Sequence, residues 1–261
     1  MIMSTLKRPR VPGQAVATAA FVALALGCDL PGLHADSCRH EAERNVTVAA
    51  DGVERVRIAS GGGKLEVRGQ PDLNEVRVRG RACASSPDEL ERVRLEAERS
   101  GSSIVVRTEL PGRGGHSLDL QIDVPAAVAL DIRHGAGEVI TRDTGPLRIT
   151  DGSGDVDIEG VAGNLDIRDG SGRFGIRLVT GEVRGKDGSG DLSIREINGS
   201  VRVQDGSGAI EVIQVGGNVT VLDGSGDIVV QQVEGDFSVK RDGSGAVNHE
   251  GVLGQVSIGE R

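Results

Sequence analysis

After His134 the chain alternates apolar and polar residues in short runs divided by glycine, and the runs return at a fixed interval. Asp-Gly-Ser-Gly begins at Asp151, Asp169, Asp187, Asp205, Asp223 and Asp242, four steps of 18 residues and then one of 19. Two residues past each motif stands Val156, Phe174, Leu192, Ile210, Ile228 or Val247, and two further on Ile158, Ile176, Ile194, Val212 or Val230. A second pair of apolar columns follows a glycine: Leu165, Val183, Val201, Val219, Phe237 and Val256, then Ile167, Gly185, Val203, Val221, Val239 and Ile258. Apolar-x-apolar spacing is the period of a strand with one face in and one out, and these residues are mostly β-branched, as pleated packing prefers. The glycines supply bends where the chain turns sharply. A short fixed period marks one unit stacked on itself. The pattern predicts an all-β fold, a single-stranded parallel β-solenoid with 18-residue coils whose equivalent positions form ladders at about 4.8 Å. The spacing leaves the hand and the number of sides open.

Upstream the rhythm loosens. His134-Gly135-Ala136-Gly137 is a weaker copy, and Gly61-Gly62-Gly63-Lys64-Leu65-Glu66-Val67 has the same shape. Alternating segments around Val46, Val56, Val76, Ile104 and Leu118 predict wider, less regular coils over 45–130, continuous with the regular array over 134–261. Ser86-Pro87-Asp88-Glu89 carries the N-cap serine, first-turn proline and N3 glutamate of a helix start, so one short helix is expected to pass into a strand near Val93. With no compositional break, 36–261 reads as a single domain. In the last coil His249 takes an aliphatic position, as expected where a core opens to solvent.

Residues 1–35 read as an export signal and leader: Lys7, Arg8 and Arg10 precede an apolar stretch from Ala15 to Leu26 that is too short to span a bilayer. Two cleavage schemes fit. Leu24-Ala25-Leu26-Gly27-Cys28 approximates a lipobox and would leave an acylated Cys28 as the one membrane anchor; cutting after Ala35 would discard it. Either way Cys38 and Cys83 remain, and in an oxidising compartment the pair is expected to form a disulfide. The expected location is the periplasm or cell envelope.

The formal charge of −9 argues against nucleic acid as a partner, because cations alternate with carboxylates instead of clustering. Asp155, Arg173 and Asp191 share one outward column, so opposite charges should stack. No catalytic residue is assigned. Six equivalent serines without a paired histidine fit a turn, since a nucleophile is needed once beside a base. In the calcium-binding RTX roll the liganding aspartate falls where this chain has Val156, Phe174 or Leu192. Asp151, Asp169, Asp187, Asp205, Asp223 and Asp242 should instead form a carboxylate ladder along one edge. Each accepts N–H bonds from its own turn, or else the ladder takes a hard cation such as calcium weakly. No other cofactor is expected. A polysaccharide-acting enzyme would need a singular carboxylate pair in a groove, and here the carboxylates recur in every coil.

The Asp-Gly-Ser-Gly turns followed by Asp-Val-Asp-Ile or Asp-Leu-Ser-Ile, behind an exported leader, resemble a family of bacterial secreted proteins known as putative adhesins. These were formerly a domain of unknown function and are related to GIN-type autotransporter heads. The resemblance runs from about Cys38 to the C-terminus and includes Val124-Pro125-Ala126 ahead of the array. It implies a β-solenoid in the cell envelope, with no catalytic residues to carry over. The expectation is a non-enzymatic, adhesin-like solenoid presenting repetitive faces to an envelope protein or polysaccharide. A divalent-cation-binding periplasmic protein is the alternative, and a polysaccharide-acting enzyme a third.

Overall fold

A computed structural model describes residues 38–112 and 115–259. Two sheets of eleven strands lie face to face, and each coil of the regular array gives one strand to each sheet. The solenoid is therefore two-sided. The irregular part contains β1 (His40–Ala49), β2 (Arg55–Ser60), β3 (Leu65–Gln70), β4 (Glu75–Ala84), helix α1 (Pro87–Arg92), β5 (Arg94–Ser100), β6 (Ser103–Glu109), β7 (His116–Pro125), β8 (Ala129–His134) and β9 (Val139–Thr144). In the array one sheet takes β11 (Val156–Val161), β13 (Phe174–Val179), β15 (Leu192–Ile197), β17 (Ile210–Val215), β19 (Ile228–Val233) and β21 (Val247–Val252). The other takes β10 (Leu147–Asp151), β12 (Leu165–Arg168), β14 (Val183–Lys186), β16 (Val201–Gln204), β18 (Val219–Leu222), β20 (Phe237–Arg241) and β22 (Val256–Ile258). We call these the β11 sheet and the β12 sheet.

Neighbouring coils pair in parallel, with like positions opposite: Val156 against Phe174, Phe174 against Leu192, Leu192 against Ile210. The predicted inward columns are buried throughout β11 to β20. A fully buried Val, Leu or Ile contributes roughly 1.5–3 kcal/mol, so these stacked rungs are the main source of stability. The turns explain why glycine recurs. Gly208 has φ +142°, and a Cβ on it would stand 1.8 Å from the carbonyl oxygen of Gly190 in the coil below. No side chain fits between turns at that separation.

The irregular region differs from the coils expected over 45–130. β2 and β3 do form a coil, stacked in parallel on β8 and β9, and β6 and β7 form another on its far side. The stacking order thus departs from chain order. Beyond them the strands reverse: β4 pairs antiparallel with β7, β1 with β4, and β5 with β6. These are capping strands, and they cover the end of the parallel stack that the 18-residue rhythm does not reach. Cys38 and Cys83 form a disulfide with Cα atoms 5.3 Å apart, tying the start of β1 to β4.

The helix follows its signals. Ser86 accepts the Glu89 N–H at 3.3 Å, and Val93 ends the helix before β5. Arg44 of β1 donates to the carbonyls of Leu90 and Val93, closing the helix C-terminus with a cation. No described helix is long and apolar enough to cross a membrane. The leader, Cys28 and both cleavage positions lie outside the described residues.

Candidate functional site

The Asp-Gly-Ser-Gly aspartates do not line an outer edge. Strand alternation carries inward from Leu165 and Ile167 to Asp169, so each aspartate turns under its own corner. All six are buried, and Asp205 and Asp223 are 1% and 0% exposed. Asp169 and Asp187 accept the N–H of Gly170 and Gly188 at 2.8 and 2.7 Å, and Asp223 accepts that of Ser225 at 3.2 Å. The second carboxylate oxygens of Asp187 and Asp223 make no further hydrogen bond, while Asp205 lies near the N–H groups of Gly206 and Ser207 and Asp169 near the Asp151 carboxyl.

Burial in an aliphatic tube disfavours the charged form, and a neighbouring carboxylate in the same column adds repulsion. Desolvation, reinforced by the Asp169 charge, pushes Asp151 up to about 7. Desolvation and then Asp187 push Asp205 up to about 6. Asp169, Asp187 and Asp223 also rise, with desolvation the leading cause in each case. Among the described residues no three His, Cys, Asp or Glu side chains gather as a metal ion would need. Burial thus favours the protonated form most at Asp151 and Asp205.

The column continues upstream in a way the aspartate repeat does not announce. His134 stands in register with Asp151, and Ser60 with His134. Ser60 Oγ and His134 Nδ1 are 2.7 Å apart, and burial lowers the imidazole's basicity. Serine, histidine and aspartate in sequence suggest a triad, but Ser60 and His134 are 8% and 6% exposed, which gives a substrate no approach. The signal was present: Ser60-Gly61-Gly62-Gly63 and His134-Gly135-Ala136-Gly137 align with Asp-Gly-Ser-Gly. Of the other histidines, His249 is exposed on the last coil and packs against Phe237, with ring centroids 6.0 Å apart.

The outer faces differ from each other. On the β11 sheet the arginines pair with carboxylates, Arg177 with Glu159 at 2.6 Å, Arg142 with Asp157 at 3.3 Å and Arg195 with Glu211, although Arg177 lies opposite Arg195. Arg173 meets Asp155 at 2.6 Å, as their shared column requires. On the β12 sheet Asp166 lies between Arg148 and Arg184, and next to it like charges stack. Arg184 lies opposite Arg202, and Arg168 opposite Lys186.

At a third place, successive coils put non-glycine residues in the left-handed region. Leu178, Glu196, Gln214 and Gln232 have φ between 56° and 60°, and Gly160 and Gly251 hold the equivalent positions to either side. Glu196, Gln214, Gln232 and Gly251 border a shallow groove that also touches Asn198, Glu234 and Leu253.

No family model and no curated protein matches this chain. Several solved structures do. A protein of Parabacteroides distasonis named a "putative lipid binding protein" is 11% identical, with a TM-score of 0.51, over 86% of this chain and 98% of its own. A "putative adhesin" of Parabacteroides merdae is 13% identical, with a TM-score of 0.44, over 84% of this chain and 96% of its own. A "putative cell adhesion protein" of Clostridium sporogenes is 13% identical, with a TM-score of 0.36, over 84% and 99%. The similarity to the first is a similarity of fold.

Proposed function

We propose that this chain is a non-enzymatic, exported β-solenoid of the cell envelope, adhesin-like in that its flat, repetitive outer faces bind another envelope component. The observation that carries this reading is where the chemistry lies. The reactive side-chain types are either shut inside the tube, as Ser60, His134 and the aspartate column are, or repeated coil after coil on open faces. A surface of repeating columns suits binding a repeating or extended partner, whereas catalysis needs one site that is singular and reachable. The Cys38–Cys83 disulfide agrees with an oxidising compartment.

The test is retention of the purified protein on crude envelope material, alongside assays for release of reducing sugar or peptide. Retention without turnover is the expected result. Turnover abolished by changing a single carboxylate would overturn the reading.

A further inference from the structure

We propose that the outer face of the β12 sheet, centred on Arg168, Arg184, Lys186 and Arg202, is a binding site for a linear anionic glycan. The proposal rests on the function argued above and names the chemistry of the partner.

On a chain with nine excess negative charges, these four cations occupy adjacent rungs and adjacent outward columns. The register sets Arg184 against Arg202 and Arg168 against Lys186, each pair one strand spacing of about 4.8 Å apart. Two residues along a strand separate the columns by roughly 6.6 Å. Like charges directly opposite across a sheet destabilise it. The other face also sets Arg177 opposite Arg195, but there each arginine meets a carboxylate, Arg177 with Glu159 and Arg195 with Glu211. Here Arg184 pairs with Glu182 at 2.6 Å, whereas Arg168, Lys186 and Arg202 enter no ion pair among the described residues. The neighbouring Arg148 reaches Asp166 at 3.8 Å and adds to the positive field. An anion laid across these four cations, which step over three adjacent strands, would turn the repulsion into attraction, with arginine forks holding carboxylates in bidentate fashion.

The surroundings select the partner's shape. Arg168, Arg184, Lys186 and Arg202 line a shallow depression with Asp166, Gln204 and Leu222. Gln204 continues one cationic column and Thr220 the other, supplying hydrogen bonds suited to hydroxyls. Leu222 is the one large apolar side chain on this lining that faces outward, and it is half-buried, so the face offers little to insert into a bilayer. Flat, rigid, cationic and lined with hydroxyl-bonding groups, it matches an extended acidic sugar chain lying along the coil axis.

The test uses the whole exported chain and polygalacturonate oligomers, with phosphatidylglycerol vesicles as the comparison. Binding should be measurable at low salt and should weaken steeply between about 50 and 200 mM salt. Changing Arg184→Gln with Arg202→Gln should weaken it about tenfold or more, whereas Arg77→Gln with Arg195→Gln, an equal charge change on the other sheet, should leave it within about twofold. The unliganded Arg184→Gln, Arg202→Gln protein should melt no lower than the parent, because its repulsion is relieved. Were that protein to unfold, Arg168→Gln with Lys186→Gln carries the same test. Absence of polygalacturonate binding, equal loss in both double variants, or binding to vesicles alone overturns the proposal. Retention on crude envelope material that the Arg184→Gln, Arg202→Gln protein keeps in full would remove this site and leave the broader function standing; failure of the parent to be retained would remove that too.

Discussion

Phe174 fills the space that Gly185 leaves empty. A Cβ on Gly185 would stand 3.3 Å from Phe174 Cζ, and the column that reads Ile167, Gly185, Val203 lacks a side chain at the coil where the other facing strand carries a ring. Phe174 is fully buried. The two positions form one packing unit across a core only two sheets thick. Phe174→Val alone should open a cavity and cost on the order of 2–4 kcal/mol, and Gly185→Val alone should overpack and cost about 1–3 kcal/mol. The double change restores the volume, so its cost should fall well below the sum. Urea unfolding of the four proteins measures the coupling, and strict additivity would refute the pairing.

The buried aspartates make stability depend on pH with an unusual sign. An acid whose folded pKa lies above its unfolded value stabilises while protonated, and that contribution fades as pH rises through the folded value. For Asp205, at about 6, and Asp151, at about 7, the contribution should be complete below about pH 4 and lost progressively as pH rises from there to about 6 and 7 respectively. Asp205→Asn should flatten this part of the profile and stabilise the protein at pH 8 by on the order of 2 kcal/mol. Thermal melts across pH check it. Calcium should not shift the melt at pH 5, where Asp151 and Asp205 are protonated; a large shift at pH 8 would reassign the column to cations.

Left-handed backbone at Leu178 has a cost that glycine avoids. Its φ is 59° and its side chain is 44% exposed, so little packing offsets the strain. Leu178→Gly should stabilise by up to about 1 kcal/mol, the steric relief exceeding glycine's extra chain entropy. At the Gly208 turn the opposite holds. Gly208→Ala would drive a Cβ into the Gly190 carbonyl and should destabilise by several kcal/mol, which the same denaturant titration would reveal.

Reducing the Cys38–Cys83 bond should loosen the cap and spare the array. The bridge joins β1 to β4, both outside the parallel stack, and repeat folds lose stability locally. A cost of about 2–4 kcal/mol is expected for the cap. Hydrogen exchange should quicken in β1 and β4 while β13 to β19 stay protected. Uniform quickening would show that cap and array unfold as one unit.

The array was legible because its period does the work of a fold. Once Val156, Phe174 and Leu192 recur at 18 residues, each is the neighbour of the next, and period-two alternation decides which residues point inward. By the same alternation Asp169 lies two beyond Ile167 and so belongs inside. Within the capping region no period fixes partners. That β1 and β4 return antiparallel, and that β2 lies between β6 and β8, depends on long-range burial that local pattern does not encode. The cationic cluster was hidden for the same reason. Along the chain Arg184 stands between Glu182 and Lys186, and only stacking brings Arg184 to Arg202 and Arg168 to Lys186. The sequence by itself determined the coil, its inward aliphatic rungs and its turns, because those follow from local alternation and glycine's conformational freedom. Tertiary structure alone decided the cap, the Phe174–Gly185 fit and the charge of each face, because these arise between residues that meet only when coils are stacked.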